Sequence, residues 1–386
     1  MRAEGPMQLD CSACAARGLE STPGLTILVN ISPMMKSAGF SNALVLAAAL
    51  FLAANICAAE EKKIPPMPGA VTSNAVATTH NGLEIYSMMG VGPRKTWDDV
   101  TNQVYVMSLA HPKWTQGRVV PGVQGRLGAT AASVRDVVIL MGGYLVDKQG
   151  DEVTVPDVNV YDPPRRQWSR GRDIPVPVDS AVSGATHNRY IYLIGGRSAN
   201  GPVNNVQVYD VQTDTWAQAT PFPGTPVFGL AGGIADENIV IVDGAKAGPA
   251  GGSRYVASDE CWLGKIDRKD SRKIEWSKLP AHPGKARFAI AGGGSDHEHR
   301  VLFSGGTSTP HDYNGVAYDG KPAEASAMTF DYDMHHHQWE TVSEETPDAR
   351  ADGRGIVFTL IGPVVLGGMA NDFVVTSRVT QVPTKW

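Results

Sequence analysis

Six arginines stand in or beside glycine-rich stretches that have the composition of loops, where binding residues concentrate. A guanidinium can bind a carboxylate through two parallel hydrogen bonds, so arginines gathered on one face of a protein would suit an acidic ligand. The six candidates for substrate binding are Arg94, Arg126, Arg197, Arg254, Arg287 and Arg354. We expect two or three of them to converge and the others to point into solvent.

One histidine stands in a loop beside two further groups that could take part in proton transfer. The stretch "STPHDYNG" places His311 next to Asp312 and Tyr313. Histidine titrates close to neutral pH, which suits a general acid or base. We therefore predict His311 as a catalytic residue and Tyr313 as a substrate-binding residue.

The other histidines and the cysteines do not form a recognisable metal site in the sequence. "DMHHHQW" places three histidines in what reads as a solvated turn, without the carboxylate or thiol spacing typical of zinc sites. Cys11 and Cys14 form one "CSAC" half-site without a second pair. We predict no metal and no cofactor, and we interpret Cys261 as a buried, inert thiol.

The elements that carry these residues follow a repeat. Apolar runs that end in glycine occur six times: "EIYSMMGVG", "VVILMGG", "YIYLIGG", "NIVIVDG", "VLFSGG" and "PVVLGG". Each precedes a second strand and a tryptophan, namely Trp114, Trp168, Trp216, Trp276, Trp339 and Trp386. The period of roughly 50 to 60 residues matches kelch repeats. The sequence thus predicts an all-β fold, a six-bladed kelch-type β-propeller.

This fold determines which loops share a face. In a four-stranded antiparallel blade, the loop between the second and third strands lies on the same side as the segments that connect blades. We call this side the upper face and the opposite side the lower face. All six candidate arginines belong to the upper face. A ring of arginines there would create a positive funnel on a protein of formal net charge -5.

The chain also predicts how the ring closes. The stretch from Ile64 onward resembles the stretch from Ile174 onward, which follows a tryptophan-bearing strand. No comparable stretch follows Trp386. We therefore predict that an N-terminal strand completes the last blade and covers its open edge.

The N-terminal part has the layout of a signal for export. A lysine, an apolar stretch from Ala43 to Ile56 and small residues before Glu60 predict a signal peptide over 34–59, cleaved after Ala59. We interpret residues 1–33 as an upstream extension from a mis-assigned start, and 60–386 as the propeller. The expected location is periplasmic or secreted, with no membrane span after cleavage. The acidic balance argues against a nucleic-acid partner.

The blades, the export signal and three local stretches resemble the bacterial sialic acid epimerases (N-acetylneuraminate mutarotases) and the related cyclically permuted mutarotases. The stretches are "GRLGATAA", "DGAKAGPAGGSR" and "GGTSTPHDYNGVAYDGKP". The resemblance covers residues 60–386. It implies an isomerase acting on a small acidic sugar, in which an arginine binds the sugar carboxylate and a glutamate transfers protons.

At the position of that glutamate this chain departs from the family. Arg254 matches the family arginine, but Ala245 stands where the glutamate is expected, and the nearest carboxylate is Asp243. The resemblance therefore implies Asp243 or His311 as the proton-transfer group, with Asp98, Asp312 and Asp352 as alternative bases. Arg126 and Arg287 would assist Arg254 in holding the carboxylate.

Two alternatives belong to other functional classes. The first is a non-catalytic propeller that binds a glycan or a protein partner in the cell envelope, which the missing glutamate favours. The second is a copper radical oxidase of the galactose oxidase type, another kelch propeller. That chemistry needs a Cys–Tyr crosslink with histidine ligands, and we expect Cys261 to lie on a strand away from any histidine.

Overall fold

In the computed structural model, every apolar run that ends in glycine is a strand with the same burial pattern. The first residue is half-buried and the next four are buried in Glu84–Met88, Val137–Met141, Tyr190–Ile194, Asn238–Val242, Arg300–Ser304 and Gly362–Leu366. A strand alternates its side chains between two faces, so a continuous apolar run is buried on both. These strands are the second strands of six blades that pack against one another.

The structure describes residues 64–320, 324–346 and 348–386. The predicted extension over 1–33 and the predicted signal peptide over 34–59 lie outside them. Each innermost strand contacts the innermost strands of both neighbouring blades, and the sixth contacts the first. The predicted six-bladed β-propeller is therefore confirmed. Among the described residues no helix has the length and apolar character needed to cross a bilayer.

The blades are antiparallel sheets in which strand order from the axis outwards follows the chain. Blade one contains Ala75–Thr79, Glu84–Met88, Val104–Ser108 and His111–Gln116; blade two Thr130–Val134, Val137–Met141, Val158–Asp162 and Gln167–Arg170; blade three Val182–Thr186, Tyr190–Ile194, Val206–Asp210 and Thr215–Ala219. Blade four contains Ala231–Ala235, Asn238–Val242, Cys261–Ile266 and Ile274–Lys278; blade five Ala291–Ser295, Arg300–Ser304, Thr329–Asp333 and Gln338–Ser343; blade six Val357–Thr359, Gly362–Leu366 and Val379–Gln381.

One hydrogen bond after the second strand joins each blade to the next. The second residue after this strand is a glycine in every blade, and it donates its N–H to a carbonyl in the segment that leads into the following blade, as Gly90 does to Arg126 at 3.0 Å. The series ends with Gly368, which donates to Val71 at 2.8 Å and so joins the last blade to the first. Gly368 has φ +89°, and a Cβ there would lie 2.2 Å from the carbonyl oxygen of Asp352. Only glycine fits this approach without displacing backbone.

The repeated tryptophans make a second link between blades. Five of them lie on fourth strands, and each indole N–H donates to a carbonyl in the segment that leads into its own blade: Pro65, Arg118, Arg172, Thr220 and Pro280. Trp386 is different. It follows the last strand, and its ring lies 5.2 Å from the guanidinium carbon of Arg300 in blade five. Trp386 therefore does not lie on a fourth strand, although it occurs at the repeated position in the sequence.

Blade six has three strands among the described residues. The predicted closing strand would begin at the new N-terminus, Glu60, and residues 60–63 lie outside the described part, so that strand stays a prediction. The segment that follows it does contact blade six. Met67 donates its N–H to Ser377 at 2.8 Å, and Val71 donates to Thr376 at 3.2 Å.

The loops of the upper face have structure of their own. Three form short hairpins, which pair Tyr144–Val146 with Glu152–Thr154, Arg197–Ser198 with Gly201–Pro202, and Ala245–Ala247 with Tyr255–Ala257. The loops of blades one and six contain the 3-10 turns Trp97–Asp99 and Asn371–Phe373. These loops hold most of the candidate residues.

Candidate functional site

The long loop of blade five crosses the middle of the upper face. Tyr313 packs with Tyr144 and with apolar residues of blades one and two. On the other side of the same loop, the ring of Tyr318 lies 5.0 Å from that of Tyr255 in the loop of blade four. The loop thus brings side chains from four blades together above the axis.

Beneath this loop lies an ion-pair cluster centred on Arg197. Its Nη1 donates to Glu152 at 2.5 Å, and its Nε donates to Asp179 at 3.1 Å. The guanidinium carbon lies 4.9 Å from the ring centre of Tyr144 and 5.6 Å from that of Phe228. We call Arg197, Glu152, Asp179, Tyr144 and Tyr318 the Arg197 cluster. Blade two supplies Glu152 and Tyr144, while blade five supplies Tyr318.

Burial and charge act in opposite directions in this cluster. Burial raises the pKa of both Glu152 and Asp179, and the Arg197 guanidinium opposes that rise. Burial alone would lower the pKa of Arg197, but the two carboxylates raise it overall. Glu152 Oε1 and Asp179 Oδ1 are buried without a hydrogen-bond partner. The cluster therefore holds one cation between two carboxylates that each keep an unused acceptor.

The predicted arginines do not form one ring. Arg94 and Arg254 are exposed; Arg94 pairs with Asp98 and Asp99, and Arg254 lies over the ring of Tyr255. Arg126 is fully buried, donating to Asn159 at 2.7 Å, and burial lowers its pKa to about 10. Arg287 is also buried and donates to the carbonyl of Gly305 and to Ser326. Of the six, only Arg197 and Arg354 lie at the centre.

Arg354 occupies the axis itself. It donates to Ser73 of the first blade at 3.0 Å and to Ser180 of the third at 3.1 Å, and it pairs with Asp352 at 2.9 Å. Below it runs a central channel with a volume of about 470 Å³, lined mainly by glycine, alanine and serine of the innermost strands. The lining extends to Asn81, Asp136 and Asn188 in the lower turns, so the channel continues toward the lower face.

His311 lies in the blade-five loop but is only 3 % exposed. Its ring packs edge-on against Phe288 and Phe373, and its Nδ1 faces the carbonyl of Asp312 at 3.0 Å. Burial lowers the pKa of His311, which keeps the imidazole neutral near pH 7. The structure places Tyr313 beside the Arg197 cluster and buries the His311 ring among aromatic side chains.

Asp243 is buried in blade four, away from the Arg197 cluster. Its Oδ2 faces His282 Nε2 at 2.8 Å and accepts the backbone N–H of Arg287 at 2.8 Å. Cys261 lies on a strand, as predicted, but our expectation that no histidine is near it is wrong. The ligand atoms of Asp243, Cys261 and His282 all lie within 4.8 Å of one another. The residues are far apart in sequence, and the turn into blade five brings His282 back to the strand.

Burial raises the pKa of the Cys261 thiol to about 12, which fits the interpretation of an inert thiol in the absence of a bound cation.

Sequence reasoning missed Glu152, Asp179, Tyr144 and Tyr318. Each stands in an upper-face segment that the repeat pattern identifies, but nothing in the sequence of those segments distinguishes a functional polar residue from the polar residues beside it. A usable signal was present for Asp179, because the equivalent buried position carries Leu127, Phe228 and Phe288 in three other blades and a second acid, Asp352, before blade six. An acid at an apolar position of a repeat indicates a buried partner.

The upper face also exposes apolar side chains. Among the described residues, seven large apolar side chains are exposed, and five of them stand in upper-face segments: Trp97, Val119, Val153, Val316 and Val374. Three of the five stand within two residues of Phe373 or of a residue that contacts it. Lys95, two residues before Trp97, donates to the Phe373 carbonyl at 3.1 Å, and Gly315, next to Val316, lies against the Phe373 side chain. We call Trp97, Val316 and Val374 the apolar patch.

Comparisons with known proteins agree with this architecture. Residues 180–223, which contain blade three, match the Kelch motif. The chain is 27 % identical over 263 residues to Kelch-like protein terF of Aspergillus terreus, covering 64 % of this chain and 53 % of that protein. It is 28 % identical over 113 residues to Kelch-like protein 15 of Gallus gallus, covering 29 % of this chain and 23 % of that protein. The chain thus spans about half of the former and a quarter of the latter.

A solved structure described as "Structure of YjhT" superimposes with a TM-score of 0.67 at 17 % identity, covering 83 % of this chain and 97 % of that one. At this identity the likeness concerns the fold. The chain is a kelch-type β-propeller, and its relation to sialic acid epimerases remains a prediction.

Proposed function

We propose that this propeller is a non-catalytic binding protein that recognises a partner protein through its upper face. One observation carries the proposal: exposed large apolar side chains concentrate there, including the whole apolar patch. Apolar groups grouped on one face of a folded protein typically mark an interaction site.

The state of the arginines supports binding over chemistry on an acidic sugar. Arg197 and Arg354, the two central arginines, already pair with carboxylates, so they present little net positive charge to an anion. Asp243 and His311, which the resemblance to epimerases implicates in proton transfer, are both buried. An acid and a base that act on a sugar must come within hydrogen-bond reach of it.

The test compares three forms of the protein as bait in an envelope extract, followed by binding measurements with the purified partner. They are the wild type, an upper-face variant (Trp97→Ser, Val316→Ser, Val374→Ser) and a lower-face control, Leu360→Ser. All four side chains are exposed, so both variants should fold. We expect the upper-face variant alone to lose at least tenfold in affinity. Equal binding by all three forms would refute the proposal.

A mutarotase or epimerase of an acidic sugar such as N-acetylneuraminate is the second candidate. Glu152 favours it, because a carboxyl with a raised pKa beside an arginine and two tyrosines could act as an acid or base. Exchange between sialic acid anomers, followed by NMR, tests it. Acceleration that Glu152→Gln abolishes would establish this function in place of the first, and no acceleration at micromolar protein would end it.

Export to the periplasm or the medium belongs to the same proposal, since the partner is sought in the cell envelope. The predicted signal peptide over 34–59 would give a mature chain beginning at Glu60. Mass spectrometry of the N-terminal peptide from exported protein tests this directly. A protein that keeps its N-terminal residues inside the cell would contradict it.

A further inference from the structure

Three positions meet inside every blade of this propeller. They are the residue after the second strand, the first residue of the third strand, and a buried residue in the segment that leads to the next blade. In blade three these are Gly195, Val206 and Phe222, of which Val206 and Phe222 belong to one apolar cluster. Blade one likewise has Met89, Val104 and Val120 in one apolar cluster. The set is thus ordinarily a small piece of hydrophobic core.

In blade four all three positions change to groups that bind metals. Asp243, Cys261 and His282 occupy them and are 2 %, 1 % and 6 % exposed. Burying a carboxylate, a thiol and an imidazole where the other blades bury apolar groups costs stability unless the polar groups satisfy one another. Blade five changes two of the positions, to Thr329 and Thr346, and there two hydroxyls simply bond to each other at 2.9 Å.

The orientation of the imidazole leaves one nitrogen for a cation. His282 Nδ1 faces the Pro283 carbonyl at 2.7 Å, and a carbonyl only accepts, so Nδ1 carries the proton. Metal-bound histidines are usually held this way through their other ring nitrogen. Nε2 then presents a lone pair to Asp243 Oδ2 at 2.8 Å. Two acceptors this close need a positive species, either a proton shared between them or a metal ion.

Two buried oxygens beside the three residues have no partner. Asp243 Oδ1 and Ser258 Oγ make no hydrogen bond, although both residues are at most 2 % exposed. They line a small cavity of about 10 Å³, which is close to the space that one water molecule needs. An unused carboxylate oxygen next to a thiol and an imidazole is unexplained by hydrogen bonding within the protein.

We propose that Asp243, Cys261 and His282 bind one Zn²⁺ ion, with a water molecule in the adjoining cavity as the fourth ligand. Zinc takes thiolate, imidazole and carboxylate ligands in a tetrahedral arrangement. Binding displaces the thiol proton, and the metal cancels the charge of two anionic ligands in an apolar surrounding. The site joins the core of blade four to the segment that leads into blade five. It is separate from the Arg197 cluster and does not depend on the partner proposed above.

The experiment titrates the purified, chelator-treated full chain with Co²⁺, which reports its ligands by absorbance. We expect one equivalent to give visible bands of tetrahedral Co²⁺ and a thiolate-to-cobalt charge-transfer band, both removed by added Zn²⁺. The matched variant Asp243→Gly, Cys261→Val, His282→Phe copies the residues of blade three and should fold. It should bind Zn²⁺ at least 100-fold more weakly. His336→Gln, which removes a histidine of a lower turn, should bind like the wild type.

Cys261→Val alone is the second probe, in case the triple variant does not fold. It should abolish the charge-transfer band while circular dichroism stays that of the wild type. If the wild type binds neither metal at micromolar concentration, a shared proton joins Asp243 and His282 and the proposal is wrong. It is also wrong if Co²⁺ binds but Cys261→Val leaves the charge-transfer band unchanged, because the thiolate then lies elsewhere.

Discussion

Replacing Arg197 by methionine tests the electrostatic account of the upper-face centre. The side chains of Arg197, Glu152 and Asp179 are 11 %, 22 % and 1 % exposed, so solvent screens their charges only weakly. Methionine keeps much of the volume but leaves two buried carboxylates without a cation. Removing one partner of a buried ion pair typically costs about 3–5 kcal/mol. Because Glu152 keeps some contact with water, we expect about 3 kcal/mol less free energy of unfolding near neutral pH.

The pH dependence distinguishes lost charge pairing from lost packing. Folding raises the pKa of both carboxyls, so the native state takes up protons at a higher pH than the unfolded state does. These two groups therefore stabilise the fold more as pH falls through their folded pKa, and less as pH rises. Without Arg197 both pKa values rise further. Each carboxyl that is protonated only in the native state contributes about 1.4 kcal/mol per pH unit.

The assay is urea unfolding of the wild type and Arg197→Met at neutral pH and about two units lower. The loss of unfolding free energy caused by Arg197→Met should be at least halved at the lower pH. Adding Glu152→Gln and Asp179→Asn to the Arg197→Met chain should restore most of the stability at neutral pH. Arg272→Met, which breaks an exposed pair with Asp270, should change nothing measurable at either pH. A penalty that stays constant with pH would show that packing, not charge, makes Arg197 necessary.

Three further predictions concern the ring and the buried thiol. Gly368→Ala should lower the free energy of unfolding by about 3 kcal/mol, through a strained positive φ, a clash and loss of the bond to Val71. Gly251→Ala, at φ +78° with no atom within 4 Å, should cost only about 1 kcal/mol, and equal costs in thermal unfolding would contradict the steric argument. Trp216→Phe should lower the free energy of unfolding by about 1 kcal/mol, because it removes the indole hydrogen bond to the Arg172 carbonyl. A chemical-denaturation midpoint equal to that of the wild type would contradict this prediction. Cys261 should resist alkylation in the folded protein and react in urea, as peptide mass mapping can show; labelling without denaturant would mean that blade four opens readily.

Local sequence patterns were sufficient to predict the blades, because every blade follows the same local rule. A continuous apolar run and a glycine at positive φ specify a buried strand and its end without reference to distant residues. The tryptophan of the repeat does not have the same environment in every blade. Trp386 follows a three-residue strand, Val379–Gln381, whereas Trp216 lies on a fourth strand and donates its indole N–H to the Arg172 carbonyl.

Side-chain partners between blades were much harder to predict. Arg197 was correctly assigned to the upper face, yet its two carboxylates come from the blade-two loop and from the segment before blade three. Asp243 was singled out in the sequence as the carboxylate nearest the expected glutamate position, but its partner His282 is 39 residues away. Neither pairing follows from spacing, because the loops between the strands vary in length and fold on one another.

The sequence by itself determined the number, order and faces of the blades, since these depend on alternation, glycine geometry and apolar content within some 50 residues. The tertiary structure decided which charges meet. Closing six blades into a ring places loop ends from separate repeats within a few ångströms of one another. There an arginine pairs with carboxylates, a histidine becomes buried, or a carboxylate contacts an imidazole. Those outcomes depend on distance and desolvation, which arise only when the ring is complete.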